Sequence, residues 1–568
     1  MLVCLIFKDL LLERAVGMSE VCVELVGKLV GEMLGLSKEE LSPSDNLISL
    51  GLGSLDIMRI AGLLTKNGCN VTFSELVSNP CMASWVNFAR ERSARSSSNG
   101  SPLLGSANYS KGDPFPITSV QHAYMVGRRD GQELGGTACH AYMEFECGSL
   151  DAAKLERAVE LLILRHPMLR ARFSDDGTAR IEDKVTWKGL TTYRVEGAGN
   201  PDSRIEGIRQ ELSHLRFDIE QDDLIDVRLT VVSPKRTIMH INVDLLAADV
   251  LSIQVLLEDL AHLYDGTDLA PIEIDFMEYA RRTGIGEDAR NEDREYWLNR
   301  IDNMPGGPSL PLKAPMESVK RSQFTRMEYL IDSKSWKNFT EKGRQIGVTQ
   351  SMGIAAVYAK ALSRWSEDKK FLLNLPLFNR KPIHPDVDKI VSDFTSLILL
   401  EADCANAISL LELASQMQGR FQQDVAHSSF GAVEVLRELS HRCPNDPKKA
   451  PVVFASNIGT QFISNKVEDV FGPLSKMLAE TPQVLLDHQI YDHKNGLLLA
   501  WDYVSELLDD KIAKQMFEAY CTAVRFYCEN DWSEPFPDLL PPSQRAARAE
   551  ANSEGADLGG GTLHGRFF

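Results

Sequence analysis

The run INVDLLAADVLS, residues 241–252, sets two aspartates, Asp244 and Asp249, five positions apart in an otherwise apolar stretch. An unpartnered carboxylate is costly to bury, so the pair reads as a metal site, an acid–base pair or a structural brace. Two carboxylates alone lack the further oxygen ligands that a hard cation requires, and no metal site is expected. TIMHINVDLL has the pattern of a buried strand, and VLSIQVLLEDLAHLYDG that of an amphipathic helix with Gly266 just past its end. Asp249 then falls at the helix start, where a carboxylate caps free N–H groups and meets the favourable end of the dipole. Ser54, in NLISLGLGSLDIMRI, also follows a glycine-containing loop and opens an amphipathic run. Its local pattern fits a helix cap or an exposed hydroxyl open to modification. Cys139 and His140 are adjacent in a strand pattern and point to opposite faces, which argues against a nucleophile–base pair. His166, in RHPML, reads as a polar cap where Pro167 stops a helix. Asp487, in TPQVLLDHQ, reads by itself as a strand aspartate paired across a sheet.

These residues need several units to position them, and 568 residues exceed one ordinary core. Residues 1–17 carry a short apolar run broken by Lys8 and Asp9 and read as an upstream extension. Residues 18–92 show helical periodicity, as in VCVELVGKLVGEMLGL, and predict a small all-α four-helix bundle. Residues 93–112, SARSSSNGSPLLGSANYSKG, have the Ser/Gly/Asn content of a linker. Residues 113–545 alternate helices (LDAAKLERAVELLILR, SMGIAAVYAKALSRWS) with strands (HAYMEFEC, DVRLTVVS, FTRMEYLID). They predict an α/β domain of two lobes, about 113–285 and 286–545. Residues 546–568 turn polar and glycine-rich, as a further linker.

Composition narrows the function. A formal charge of −19 opposes attraction to phosphate backbones or anionic membrane surfaces, so neither nucleic acid nor a membrane is an expected partner. The ten cysteines form no CxxC pair and no zinc spacing, which predicts neither a disulfide framework nor a zinc ribbon and fits a reducing cytoplasm.

Beyond the local patterns, NLISLGLGSLDIMRI resembles the attachment site of acyl and aryl carrier proteins. The resemblance implies 4′-phosphopantetheine carried on Ser54, although Gly53 stands where the family has aspartate. FPITSVQHAYMVGRRDG, RHPMLRARF, NMPGGPSLPLKAP, GVTQSMGIAAVYAKALSRWS, FLLNLPLFNR with IVSDFTSLILL, PVVFASNIG, and TPQVLLDHQIYD with AWD then follow in order. Together they resemble the heterocyclization domains of nonribosomal peptide synthetases, over about residues 18–545. The chain looks most like the aryl-carrier and cyclization start of aryl-thiazoline siderophore synthetases of the pyochelin and yersiniabactin type.

The resemblance implies a two-lobed, chloramphenicol-acetyltransferase-like domain that joins an aryl, salicyl-type thioester to a carrier-bound cysteine and closes a thiazoline. It implies as partners a phosphopantetheinyl transferase, a stand-alone aryl-acid adenylating ligase, and downstream adenylation and peptidyl carrier domains. Related condensation enzymes carry HHxxxDG where this chain has the DxxxxD of Asp244 and Asp249, and Leu245 occupies the second histidine. The two aspartates become braces with arginine partners, and acid–base work moves to Asp487, the family's cyclodehydration aspartate. Its usual threonine partner is replaced by Ala455. Ser456, Thr481 or Gln483 supplies the polar contact instead, or Asp487 acts with water alone; strand alternation opposes Ser456. Asn379 stands where an aspartate is common. The competing readings are an amide-only condensation domain, a CoA-dependent acyltransferase and a non-catalytic carrier or docking scaffold; the absence of the second histidine at Leu245 disfavours the first two.

Overall fold

The computed structural model describes residues 22–37, 40–66, 69, 71, 73–95, 112–195, 200–284, 291–378, 380–381, 383–443, 448–540 and 545. The expected extension at 1–17, most of the linker at 93–112, the tail at 546–568 and Asn379 lie outside the described residues.

A helix over 22–34 joins Ser54–Lys66, Phe73–Ser78 and Met82–Arg95 in a four-helix bundle. Apolar residues at three-and-four spacing, such as Val26, Val30, Ile57, Ile60, Leu64 and Trp85, supply its buried core. Cys22 and Cys69, 47 residues apart, form a disulfide inside this bundle. This single bridge departs from the expectation that the cysteines form no disulfide framework: spacing in sequence does not show that the start of one helix and the turn after the next meet in one small core.

The remaining chain makes two lobes. In the first, a five-stranded sheet runs in the order Leu474–Glu480, His140–Cys147, Arg236–Asp244, Ile225–Ser233, Thr191–Arg194. Helices Ala152–Arg165 and Val250–Tyr264 pack on each other over it. The second lobe holds a six-stranded sheet in the order Thr395–Asp403, Lys370–Phe378, Val452–Gln461, Leu486–His493, Gly496–Val504, Phe324–Asp332. Helices Gln350–Trp365, Leu410–Ala426 and Asp510–Glu529 cover one face of that sheet through Tyr358, Trp501 and Tyr520.

The lobes are not two consecutive blocks. Strand Leu474–Glu480, far along the chain, crosses over and pairs antiparallel with His140–Cys147 of the first sheet, Glu480 opposite His140. Glu480 also accepts from His214 at 2.5 Å, inside the first lobe. A boundary near residue 285 therefore captures the chain order and misses this exchange, since strand pairing is nonlocal.

The carrier bundle rests on the second lobe. Helix Phe73–Ser78 packs against Leu410–Ala426, and Arg344 Nη1 donates to the Leu50 carbonyl at 3.4 Å.

Candidate active site between the lobes

The two aspartates of INVDLLAADVLS are fully buried and each has its own arginine. Asp244 ends strand Arg236–Asp244, and its Oδ2 accepts from Arg128 Nη1 at 2.8 Å. Its Oδ1 accepts from the Leu246 amide at 3.0 Å, which turns the chain. Asp249 is the N-cap of helix Val250–Tyr264, accepting from the Ser252 amide at 2.7 Å. Arg380, from the second lobe, donates to Asp249 Oδ1 at 2.9 Å. One pair ties a turn within the first lobe, and the other ties the two lobes together. A buried charge removed from such a pair leaves its partner unmatched, at a cost of about 3–5 kcal/mol.

Leu245 lines a cavity of about 540 Å³ between the lobes, with Tyr124, Ala248 and Asp249 on one side and Asn374, Asp393, Ala455 and Asp487 on the other. Strand Leu486–His493 explains how Asp487 reaches it. Strand side chains alternate, so Asp487, Gln489 and Tyr491 line the cavity while His488 turns into the helix-covered core. There His488 lies 2.7 Å from Tyr520 Oη and 3.0 Å from the Ala500 carbonyl, and burial pulls its pKa down to about 3.

Asp487 sits in register between Val453 and Asp502, with Arg326 beyond Asp502. Arg326 grips Asp502 through Nε at 2.7 Å and Nη2 at 2.5 Å, a charge-assisted fork. Its Nη2 also donates to Gln489 Oε1 at 2.9 Å, and the Tyr491 hydroxyl donates to that same oxygen. Gln489 is thereby oriented so that Nε2 donates to Asp487 Oδ2 at 2.6 Å. The other oxygen, Oδ1, is buried without a hydrogen-bond partner among the described residues. Burial, with the negative charge of Asp502 next, pushes the Asp487 carboxyl up to about 7, against the opposing Gln489 bond and Arg326 charge. A carboxyl with this pKa and a free oxygen can give or take a proton near neutrality.

The polar contact to Asp487 thus comes from Gln489. Ser456 lies on the opposite sheet face, its hydroxyl 2.8 Å from that of Ser351, which corrects its placement beside Asp487; one residue along a strand reverses the side chain. Thr481 and Gln483 do line the cavity. Thr481 interacts with the buried Cys139 thiol, while Gln483 has a left-handed backbone, φ 64°. Ala455 faces the cavity in register with Gln489. Cys139 and His140 diverge as expected: His140 Nε2 lies 3.0 Å from the Ser213 carbonyl. His166 caps its helix and lies 2.9 Å from Asp259. The sequence alone pointed to neither Gln489 nor Arg326. For Gln489 a period-two count from Asp487 was the available signal; Arg326 is joined to the site only by sheet pairing.

Ser54 is the first residue of helix Ser54–Lys66, and Asp56 Oδ2 accepts from the Gly53 amide at 2.9 Å. The helix start borders a small cavity walled by Gly53, Gln350, Ser351, Phe378, Ser456 and Ile458. Strands Lys370–Phe378 and Val452–Gln461 share a single register pair, Val453 with Asn374. Past it they part, and Pro376 and Phe378 wall both this cavity and the one holding Asp487. The residues at the carrier face therefore fit a long prosthetic arm led from the Ser54 helix toward the lobe junction.

Comparison with known proteins agrees with this layout. Residues 24–89 match the phosphopantetheine attachment site family, and residues 115–530 match the condensation domain family. The first match implies a covalent 4′-phosphopantetheine on a serine. The chain is 35% identical over 553 residues to "Phenyloxazoline synthase MbtB" of Mycolicibacterium paratuberculosis, covering 95% of this chain and 47% of that protein. It is 34% identical to "Pyochelin synthetase PchE" of Pseudomonas aeruginosa, covering 96% of this chain and 38% of the relative. It thus spans less than half of these relatives. The EpoB cyclization-docking bidomain from Sorangium cellulosum superposes with a TM-score of 0.68 at 30% identity, covering 74% of this chain and 87% of that one. Among the described residues no helix is long and apolar enough to cross a membrane. The chain belongs to the condensation-domain family, as a nonribosomal peptide synthetase carrier domain fused to a heterocyclization domain.

Proposed function

We propose that this chain carries an aryl, salicyl-type acyl group on Ser54, joins it to a cysteine on a downstream peptidyl carrier, and cyclodehydrates the amide to an aryl-thiazoline for a siderophore-like product. The observation that carries this reading is Asp487: a buried carboxyl at the cavity wall beside the Arg326-paired Asp502, with one oxygen fixed by Gln489 and the other buried with no hydrogen-bond partner among the described residues. The phosphopantetheine thiol supplies the thioester that holds the acyl group. The parted strands beside Ser456 support its passage from the Ser54 helix to the lobe junction.

Ring closure needs protons moved in both directions. The cysteine thiol adds to the amide carbonyl, its proton passing to the carbonyl oxygen. Protonated Asp487 then donates from Oδ1 to that hydroxyl, which leaves as water. The resulting carboxylate takes the proton from nitrogen as the C=N bond forms, which restores the acid. One water is lost, and Asp487 ends as it began. Gln489 keeps Oδ2 occupied throughout, so both transfers use one oxygen. Arg326 neutralises Asp502 and holds Gln489, and so acts on Asp487 through these two side chains.

The reading places the chain in the cytoplasm, with a phosphopantetheinyl transferase, a stand-alone aryl-acid ligase, and downstream adenylation and carrier domains as partners. The relatives named for phenyloxazoline and pyochelin synthesis support an aryl start. Reconstitution with salicylate and carriers loaded with cysteine, serine or threonine tests the ring: the cysteinyl product is expected to lose one water beyond amide formation. An amide that never loses it would establish the condensation-only alternative.

A further inference from the structure

Two aspartates that line the cavity each hold a buried oxygen with no hydrogen-bond partner among the described residues, and ring closure uses only one. Asp393, just ahead of strand Thr395–Asp403, lines the same cavity as Asp487 and Tyr124. Its Oδ1 accepts from the Thr395 amide at 3.0 Å. Its Oδ2 is buried with no hydrogen-bond partner among the described residues. The neighbouring buried aspartates differ: Asp244, Asp249 and Asp502 are matched by Arg128, Arg380 and Arg326. Arg380 pairs with Asp249, also donates to Ser252 and the Ile390 carbonyl, and lies 4.3 Å over the Phe394 ring. Burial, with the charge of Asp249 behind it, pushes the Asp393 carboxyl up to about 7, against the Thr395 bonds and Arg380. A bracing carboxylate is matched by a cation; this one is not.

The segment bearing Asp393 is clamped from the other lobe. Asp249 Oδ2 accepts from the Phe394 amide at 3.3 Å, and the Asp249 amide donates to the Ser392 carbonyl at 3.1 Å. Ser252 Oγ donates to the Ser392 carbonyl at 2.7 Å and accepts from the Ser392 amide at 3.0 Å. Both neighbours of Asp393 are thus fixed by the strand-to-helix turn that carries the DxxxxD motif, and its side chain is left facing the cavity.

Resting on the heterocyclization reading, we infer that Asp393 is the catalytic base of amide formation, leaving Asp487 for ring closure. The amine nitrogen attacks the thioester carbonyl, and Asp393 Oδ2 takes the proton from nitrogen. The carbon–sulfur bond breaks, and Asp393 passes the proton to the departing thiolate. The products are amide and thiol, the carboxylate is restored, and no further reactant is consumed. Leu245, where a condensation enzyme keeps its histidine, has no group for this transfer. Asp249 and Arg380 act as positioning residues.

The test uses Asp393→Asn and Asp487→Asn in the full chain, with three readouts. The first is amide formation by intact mass, from the aryl-loaded chain and, with Ser54→Ala, from a soluble aryl thioester. The second is ring closure of a preformed linear aryl-cysteinyl thioester. The third is carbon-13 titration of the Asp393 carboxyl in the unloaded protein. Asp393→Asn, which keeps an acceptor for the Thr395 amide, is expected to slow amide formation by about 10²–10⁴-fold, the usual worth of a general base. It should close the preformed amide at the wild-type rate, while Asp487→Asn should do the reverse. Amide formation by Asp393→Asn at the wild-type rate would overturn the inference. So would equal loss of both reactions, which marks a structural role, or an ordinary carboxyl titration. A wild-type chain that forms the amide and never closes it removes the heterocyclization reading alone, and the amide rates still decide the role of Asp393.

Discussion

Replacing Asp487 by asparagine should make the protein more stable while stopping ring closure. The carboxyl is neutral below about pH 7 in the folded chain, raised from 3.8 by burial and by Asp502. One pKa unit corresponds to about 1.4 kcal/mol, so the rise from 3.8 to about 7 amounts to about 4 kcal/mol at most. The folded-state pKa is raised, so wild-type stability from this group is complete below about pH 4. It is lost as the pH rises toward 7, because the unfolded chain ionises first. The charged and titratable groups near Asp487 are Asp502, Arg326, Tyr124 and Tyr491, with Tyr358 behind the sheet, and the substitution leaves them in place. The amide oxygen of the substituted side chain can still accept from Gln489. Urea unfolding followed by tryptophan fluorescence should therefore give coincident midpoints near pH 4 and a more stable variant above pH 7. By intact mass the variant should accumulate the uncyclized amide. Equal stability at every pH, or wild-type ring formation by the variant, would refute the reasoning about this carboxyl.

Other perturbations separate positioning from chemistry. Arg380→Ala should destabilise the domain by about 3–5 kcal/mol, because Asp249 stays buried without its cation; a change under about 1 kcal/mol in chemical unfolding would contradict the brace. Gln489→Leu should slow ring closure and spare amide formation, since Oδ2 of Asp487 loses its donor. Both rates come from one mass-resolved time course. Ser456→Ala should leave ring closure of a preformed amide unchanged, because its hydroxyl meets Ser351 on the other sheet face; a loss comparable to that of Asp487→Asn would mean the two hydroxyls reach the reaction.

Local patterns foretold much of the fold. TIMHINVD forms a strand buried from Thr237 to Asp244, and Asp249 caps the following helix as its position implied. Pairing over long separation was not legible. Strand Leu474–Glu480 looks local and belongs to the other lobe, and the carrier disulfide joins cysteines that nothing in their spacing connects. The same divide runs through the site. Gln489 lies two residues from Asp487 and was open to counting, whereas Arg326 reaches it through two sheet pairings. Asp393 stands in the IVSDFTS motif with no role visible from its neighbours, because only the folded chain shows that it lines the cavity where Asp487 lies and holds a buried oxygen with no hydrogen-bond partner among the described residues.

The most direct measurement is intact mass of the chain through one turnover, with transferase, coenzyme A, salicylate ligase and a cysteinyl carrier. Ser54 is expected to gain the arm and then the aryl group. The aryl group should then pass to the downstream carrier, whose product loses one further water in the wild type and keeps it in Asp487→Asn. A chain whose Ser54 never gains the arm, or whose water loss survives without Asp487, would contradict the proposed chemistry.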